Sequence, residues 1–197
     1  MEDKRVRKTK QSLKQAMLRR LAHQPLEQIT VKELCELSDV SRITFYAHYT
    51  DKYALMDDIC ADLVEAARRD FHALQVRVNP YGRAVDNFCC LLDCILNLYI
   101  ANDKLFWHTV CGDSPYLNAL FDRYLQRYVV HRIRKESHAL AFCYPPEQTA
   151  AVLIHALWGF FREGRRAGQS IGQIRPQARA LLRGLLSAGV LMGRNER

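Results

Sequence analysis

Apolar residues recur three and four positions apart along nearly the whole chain. That is the spacing of one helix face, and no stretch alternates in the manner of a half-buried strand. Leu13, Ala16, Met17 and Leu21 set a first helix over about 6–23, ending ahead of Pro25. After Lys52, the positions Leu55, Ile59, Leu63 and Ala66 or Ala67 carry a longer helix to about residue 74. Asn79, Pro80 and Gly82 break the pattern, which sets a domain boundary near 71–80. Further helices are expected over 81–101, 104–110, 115–136, 146–164 and 176–192, with Ser114 capping the helix that starts at Pro115. The fold class is therefore all-α, with about nine helices.

Between the first helix and the long one, residues 29–52 read ITVKELCELSDVSRITFYAHYTDK. Thr30 and Glu33 form a capping box, with Ile29 and Leu34 placed as a hydrophobic staple. The short helix they start has Val31, Leu34, Cys35 and Leu37 as its apolar positions and ends near Leu37. Ser38 and Asp39 make a turn, and Ser41 caps a second helix with Val40 and Phe45 as its staple. Two short helices across so tight a turn make a helix-turn-helix. Phe45 and Tyr49, four apart, share the inward face. That leaves Arg42, Ile43, Tyr46 and Ala47 for base edges in a major groove, while Thr44, His48, Lys52 and Lys32 suit phosphates, and Ser41 completes the expected DNA-contact set.

The stretch from Thr9 to Leu55 resembles the N-terminal domain of TetR-family transcriptional regulators. The positions that carry the likeness are Val40, Ser41, Arg42, Thr44, Phe45, Tyr46, His48 and Tyr49, then Lys52 and Leu55. Two residues depart from the family pattern. Asp39 stands where the turn usually has glycine, which aspartate tolerates because it visits the left-handed conformation more readily than most residues. Ile43 stands where a small residue is common, and its bulk either touches a thymine methyl or alters which bases are accepted. The resemblance implies a DNA-binding domain with a basic arm and linking helix over 1–75 and a helical effector-binding and dimerisation domain over 76–197. It also implies a regulator, a repressor above all, that is released from an operator by a small molecule.

The two last helices carry more apolar surface than one partner can cover. Leu181, Leu182, Leu185, Leu186, Val190 and Leu191 line one of them, and Ala151, Ile154, His155, Trp158 and Phe161 the other. Gly159, Gly184 and Gly189 lie inside these helices at a cost of ~1 kcal/mol each relative to alanine, which points to a backbone approaching closely. A two-fold dimer through a four-helix bundle meets both requirements and predicts an inverted-repeat operator on double-stranded DNA. The alternative is that both stripes pack inside one protomer. The aromatic residues of the C-terminal part suit a ligand cavity or an ordinary core. Trp107, His108, Tyr124, His155 and Trp158 are the effector candidates, because each joins an apolar body to a polar handle. A regulator whose C-terminal domain docks another protein is a second possibility.

Composition narrows the function classes. A net charge of +8 favours a polyanionic partner. Lys4, Arg5, Arg7, Lys8, Lys10 and Lys14 crowd the N-terminus as either a DNA-tracking arm or a solvated tail, and Arg162, Arg165, Arg166, Arg175 and Arg179 read as surface. A non-specific architectural DNA binder would use such charge alone. The seven cysteines, an odd number set mostly in apolar runs, suggest free thiols in a reducing cytoplasm rather than disulfides. His108 and Cys111 stand three apart and Cys90 and Cys94 share a face, yet no Cys-x-x-Cys pair supports a metal site, and no cofactor is expected. The charged N-terminus does not look like a secretory signal. The apolar run 88–100 is broken by Asp93 and Asn97 and is shorter than the ~20 residues a membrane span needs, so no membrane partner is expected. No phosphate loop, zinc-binding His-Glu-x-x-His, nucleophile elbow or carboxylate pair is present, which argues against an enzyme.

Overall fold

A computed structural model describes residues 4–102, 105–106, 114–187 and 191, and regular structure among them is helical apart from one bridge residue, Phe142. Eight α-helices are described: α1 Lys4–Leu21, α2 Val31–Ser38, α3 Arg42–His48, α4 Lys52–Val78, α5 Ala84–Ala101, α6 Pro115–Glu136, α7 Pro146–Arg166 and α8 Ile171–Ser187. A 3-10 turn, Leu26–Gln28, precedes α2. The chain divides into two compact units, Met1–Glu65 with Asn102–Phe121, and Ala66–Ala101 with Asp122–Arg197. The expected helix over 104–110 falls largely outside the described residues, as do Trp107, His108, Cys111, Gly189 and Val190.

In the first unit, α1 buries the four residues its spacing selects: Leu13, Ala16, Met17 and Leu21. Leu26, Ile29, Leu34, Phe45, Leu55 and Met56 complete an apolar centre. The basic residues from Lys4 to Lys14 lie on this helix rather than on an extended arm, because the apolar face of α1 anchors it. Lys14 is committed there, its ammonium 3.0 Å from Asp58 Oδ2 and 2.6 Å from Asp62 Oδ2.

The second unit is organised by the most apolar helix, α5, which is long and apolar enough in composition to cross a membrane yet is 61% buried within the protein. Asp93 and Asn97, which interrupt its apolar run, face arginines of α8. Arg175 reaches Asp93 Oδ1 at 3.2 Å and Asn97 Oδ1 at 2.7 Å, and Arg179 reaches Asp93 Oδ2 at 2.7 Å. Arg183 continues the ladder to Asp86. Arg175 and Arg179 are thus not idle surface charge: spaced four apart, they clamp α8 to α5 while Ile174, Ala178, Leu182 and Leu186 fill the inward face. A second polar cluster fixes the α4–α5 turn. Asn87 Oδ1 accepts from Gln75 at 2.6 Å and from Asn79 at 2.9 Å. Asn87 Nδ2 donates to Glu136 Oε1 at 2.8 Å, where buried Arg132 also points.

The start of α8 corrects the sequence reading. Pro176 suggested a first turn, but the helix begins five residues earlier at Ile171 and carries Pro176 inside. The reason is a capping pair. Ser170 Oγ accepts from Gln173 N at 3.3 Å, and Gln173 Oε1 accepts from Ser170 N at 2.9 Å. Two orphan donors are satisfied at once.

Candidate nucleic-acid interface

The helix-turn-helix forms from caps that the sequence encodes. Glu33 N donates to Thr30 Oγ1 at 3.2 Å, and Thr30 N donates to Glu33 Oε2 at 2.8 Å. The capping box that starts α2 is therefore closed. Those bonds from Thr30, with the neighbouring Arg20 guanidinium, hold the Glu33 carboxyl below its ordinary range. At the other end Asp39 sits in the left-handed region, φ 54 and ψ 42, as the C-cap, and Val40 N donates to Cys35 O at 3.1 Å. Such a left-handed residue is a common way for a helix to stop. Asp39 is the one non-glycine residue with positive φ among those described. The chain leaves α2 there, and Ser41 Oγ caps α3 by accepting from Thr44 N at 3.1 Å.

Beneath α3, Phe45 is wholly enclosed and its ring lies 5.9 Å from that of Tyr49. The Tyr49 hydroxyl donates to Asp58 Oδ2 at 2.7 Å, the same carboxylate that Lys14 approaches. Burial pushes the Asp58 carboxyl up, but the bonds from Tyr49 and Lys14 outweigh it and leave the group below its ordinary value. This brace between α1, α3 and α4 has no local sequence signature, since Lys14 and Asp58 are 44 positions apart.

Outward, Arg42, Ile43, Tyr46 and Ala47 are all exposed, and Lys32 is exposed at the start of α2. Arg42 shares an open groove with Lys32, Cys35, Glu36, Asp39, Val40 and Ser41. Thr44 and His48 are half-buried at the flanks, the Thr44 hydroxyl 2.9 Å from Ser41 Oγ. Leu37, one of the apolar positions of α2, is 45% exposed.

Lys52, expected among the phosphate contacts, turns its ammonium inward. Its ammonium donates to Leu26 O at 2.9 Å, to Glu27 O at 2.8 Å and to Ile29 O at 2.8 Å. All three of its protons are thereby used inside the protein. Lys52 braces the 3-10 turn ahead of α2. Burial pushes its pKa down, with Glu27 and Glu33 opposing.

Solved structures share this architecture. A protein assigned to the TetR family of transcriptional regulators, from Syntrophomonas wolfei, superposes with a TM-score of 0.76 at 14% identity, covering 95% of this chain and 99% of that one. The fold is that of the TetR-type regulators. A second TetR-type structure, from Shewanella sp. PV-4, matches with a TM-score of 0.65 at 17% identity over 88% of this chain and 95% of its own. In sequence, 53 residues are 36% identical to an uncharacterised HTH-type transcriptional regulator, YxbF, of Bacillus subtilis (strain 168); that stretch is 27% of this chain and 14% of the relative. No protein-family model matches the chain.

In the second unit of this TetR-type fold, an apolar cavity of about 80 Å³ is lined by Leu92, Tyr99, Leu153, Trp158, Phe161 and other side chains of α5, α6, α7 and α8. Of the effector candidates, Trp158 lines it, stacked 5.7 Å from Phe161. His155 does not: it is exposed on α7 and its Nδ1 meets Ala151 O at 2.8 Å, one turn back on its own helix. Tyr124 is half-buried outside the lining, with Arg123 over its ring. Trp107 and His108 lie outside the described residues. Cys89, Cys90 and Cys94 are buried free thiols whose pKa burial raises, that of Cys94 to about 12. No group of three or more His, Cys, Asp or Glu able to hold a metal ion occurs among the described residues.

Proposed function

We propose that the chain is a sequence-specific DNA-binding transcriptional regulator of the cytoplasm, with α3 as its recognition helix. The observation that carries this reading is the two-sidedness of α3. Phe45 and Tyr49 lock one side into the protein, while Arg42, Ile43, Tyr46 and Ala47 leave the other bare. Side chains left in solvent are available for base edges, and the caps at Thr30 and Ser41 fix their direction. Lys32 is the phosphate contact of first choice, with Thr44 and His48 at the margins.

The regulator acts as a homodimer through α7 and α8. A Cβ added at Gly159 or Gly184 meets nothing within 4 Å, so no close approach inside the protomer accounts for either glycine. Val152 and His155 are exposed on the same helix as Gly159. Part of the apolar stripe is used internally by Leu182 and Leu186, but Leu181 and Leu185 are only half-buried. A two-fold pair presents two copies of α3 to an inverted repeat.

Release by a small apolar effector is supported by the cavity beside Trp158, which measures about 80 Å³. Drug-sized ligand pockets begin at roughly 300 Å³, so entry requires the lining side chains to move. An effector that binds the two states unequally shifts operator affinity through α4, which is unbroken from Lys52 to Val78. The same small volume favours a second reading, in which the C-terminal unit docks a protein partner over the exposed apolar residues Val76, Val78 and Tyr81.

Selection from a random DNA pool by the purified chain tests the proposal. An inverted repeat is expected, a non-symmetric site counts against the dimer, and the absence of enrichment removes the regulator reading.

A further inference from the structure

Three large apolar side chains stand exposed among the described residues of the N-terminal unit, Leu37, Ile43 and Tyr46, and all three lie on the helix-turn-helix. Ile43 is the extreme case at 85% exposed. Scattered exposed leucines are ordinary on any protein, but here all three fall on two short helices, and Ile43 and Tyr46, three apart on α3, share one side of it. The solvent side of α3 is therefore an apolar strip, with the exposed Arg42 next to Ile43 in the chain.

We propose that Ile43 contacts the C5 methyl group of a thymine in each half-site, making Ile43 a determinant of operator sequence. This rests on the DNA-reading role proposed above. The major groove presents donors and acceptors on every base pair, and the C5 methyl of thymine is its one apolar group. An isoleucine held at the base edges has no other partner with which to exclude water. Ile43 is the second residue of α3, where the Ser41 cap fixes the backbone. Its β-branched side chain is stiff about χ1, so little freedom is lost on contact. Tyr46 is 57% exposed. One turn onward from Ile43, it extends the same apolar strip along the groove. The consequence is an operator that carries thymine at one symmetric pair of positions, read through shape and methyl contact rather than through a hydrogen bond.

Deoxyuridine tests this without disturbing base pairing, since it differs from thymidine only by the missing methyl group. With the selected operator in hand, each thymine is replaced in turn and the affinity of the full chain is measured by fluorescence anisotropy. The wild type is expected to lose about fourfold at one position when one half-site is changed and about fifteenfold when both are, the effect of one buried methyl group per half-site. Ile43→Ala is expected to keep its melting temperature and to show no loss at that position. Should its affinity fall below measurement, Ile43→Val is expected to show a smaller loss per half-site than the wild type. A wild type indifferent to every replacement, or a loss of the same size in the Ile43 variants, overturns the proposal while leaving the regulator reading standing. Failure to select any operator removes both, and does so before the uracil step is reached.

Discussion

The Lys52 ammonium donates to the Ile29 carbonyl at 2.8 Å, and through that bond the first residue of α4 holds the stretch of chain that enters α2. Two more carbonyls, of Leu26 and Glu27, complete the set. Lys52→Met removes the ammonium from all three carbonyls, leaving Leu26 O its bond from Ile29 N at 3.1 Å, and hydrogen bonds to a charged group contribute about 1.5–3 kcal/mol. The variant is expected to lose stability by about that amount in urea unfolding, and to bind all DNA sequences with the weakness of a loosened domain. Unchanged stability with reduced DNA affinity would return Lys52 to the phosphate contacts.

Arg42 and Tyr46 are exposed and neither caps α3, although the Tyr46 ring stands edge-on to that of Phe45 at 5.4 Å. Arg42→Ala and Tyr46→Ala should each weaken operator binding by about 1–3 kcal/mol and barely alter binding to scrambled DNA. Lys32→Ala should weaken both alike and reduce the slope of log affinity against log salt by about one. Salt titrations on the two duplexes separate these behaviours.

Phe45 fills the centre of the N-terminal unit. Phe45→Ala is expected to cost about 3–5 kcal/mol through the cavity it leaves, and thermal melting followed by circular dichroism reads that directly.

Much of the candidate site was legible because it depends on local spacing. The capping box at Thr30, the cap at Ser41 and the four-residue interval from Phe45 to Tyr49 are all written within one helical turn. The C-cap was legible too, because a left-handed position tolerates aspartate. What local pattern could not show is where a long side chain ends. Lys52 looks like any surface lysine until Leu26, Glu27 and Ile29 are folded around it, and Arg175 and Arg179 read as solvated charge until α5 brings Asp93 beside them. His155 lies away from the cavity for a different reason, since helical spacing alone does not say which side of a half-buried helix faces the cavity. In α8 the more familiar signal, proline as a helix start, drew attention from the Ser170–Gln173 cap ahead of it.

Acid should act on the N-terminal unit through Asp58 and Glu33. Both are held below their ordinary values, so each contributes stability that is present above its unfolded pKa and lost as pH falls through the folded one. Stability is expected to be level above about pH 5 and to decline below about pH 4. Asp58→Asn should flatten part of that decline, and a urea midpoint that stays constant into strong acid would contradict the brace.

Thiol chemistry gives an independent check on the fold. Cys143 is exposed, whereas Cys35, Cys60, Cys89, Cys90 and Cys94 are buried. A disulfide reagent should modify Cys143 at once in the native protein and reach these five buried thiols only on unfolding. Early reaction at Cys94, whose pKa is pushed up to about 12, would show that α5 is not enclosed as described.

The most direct test of the exposed face of α3 is the ratio of affinities for the selected operator and a scrambled duplex at physiological salt, measured for the wild type and for the Arg42→Ala, Tyr46→Ala double variant. The wild type should prefer the operator by about a thousandfold or more, and the double variant should lose most of that preference while melting like the wild type. A wild type that binds both duplexes equally, or a double variant that keeps the full preference, would contradict the assignment of α3 as the reading element.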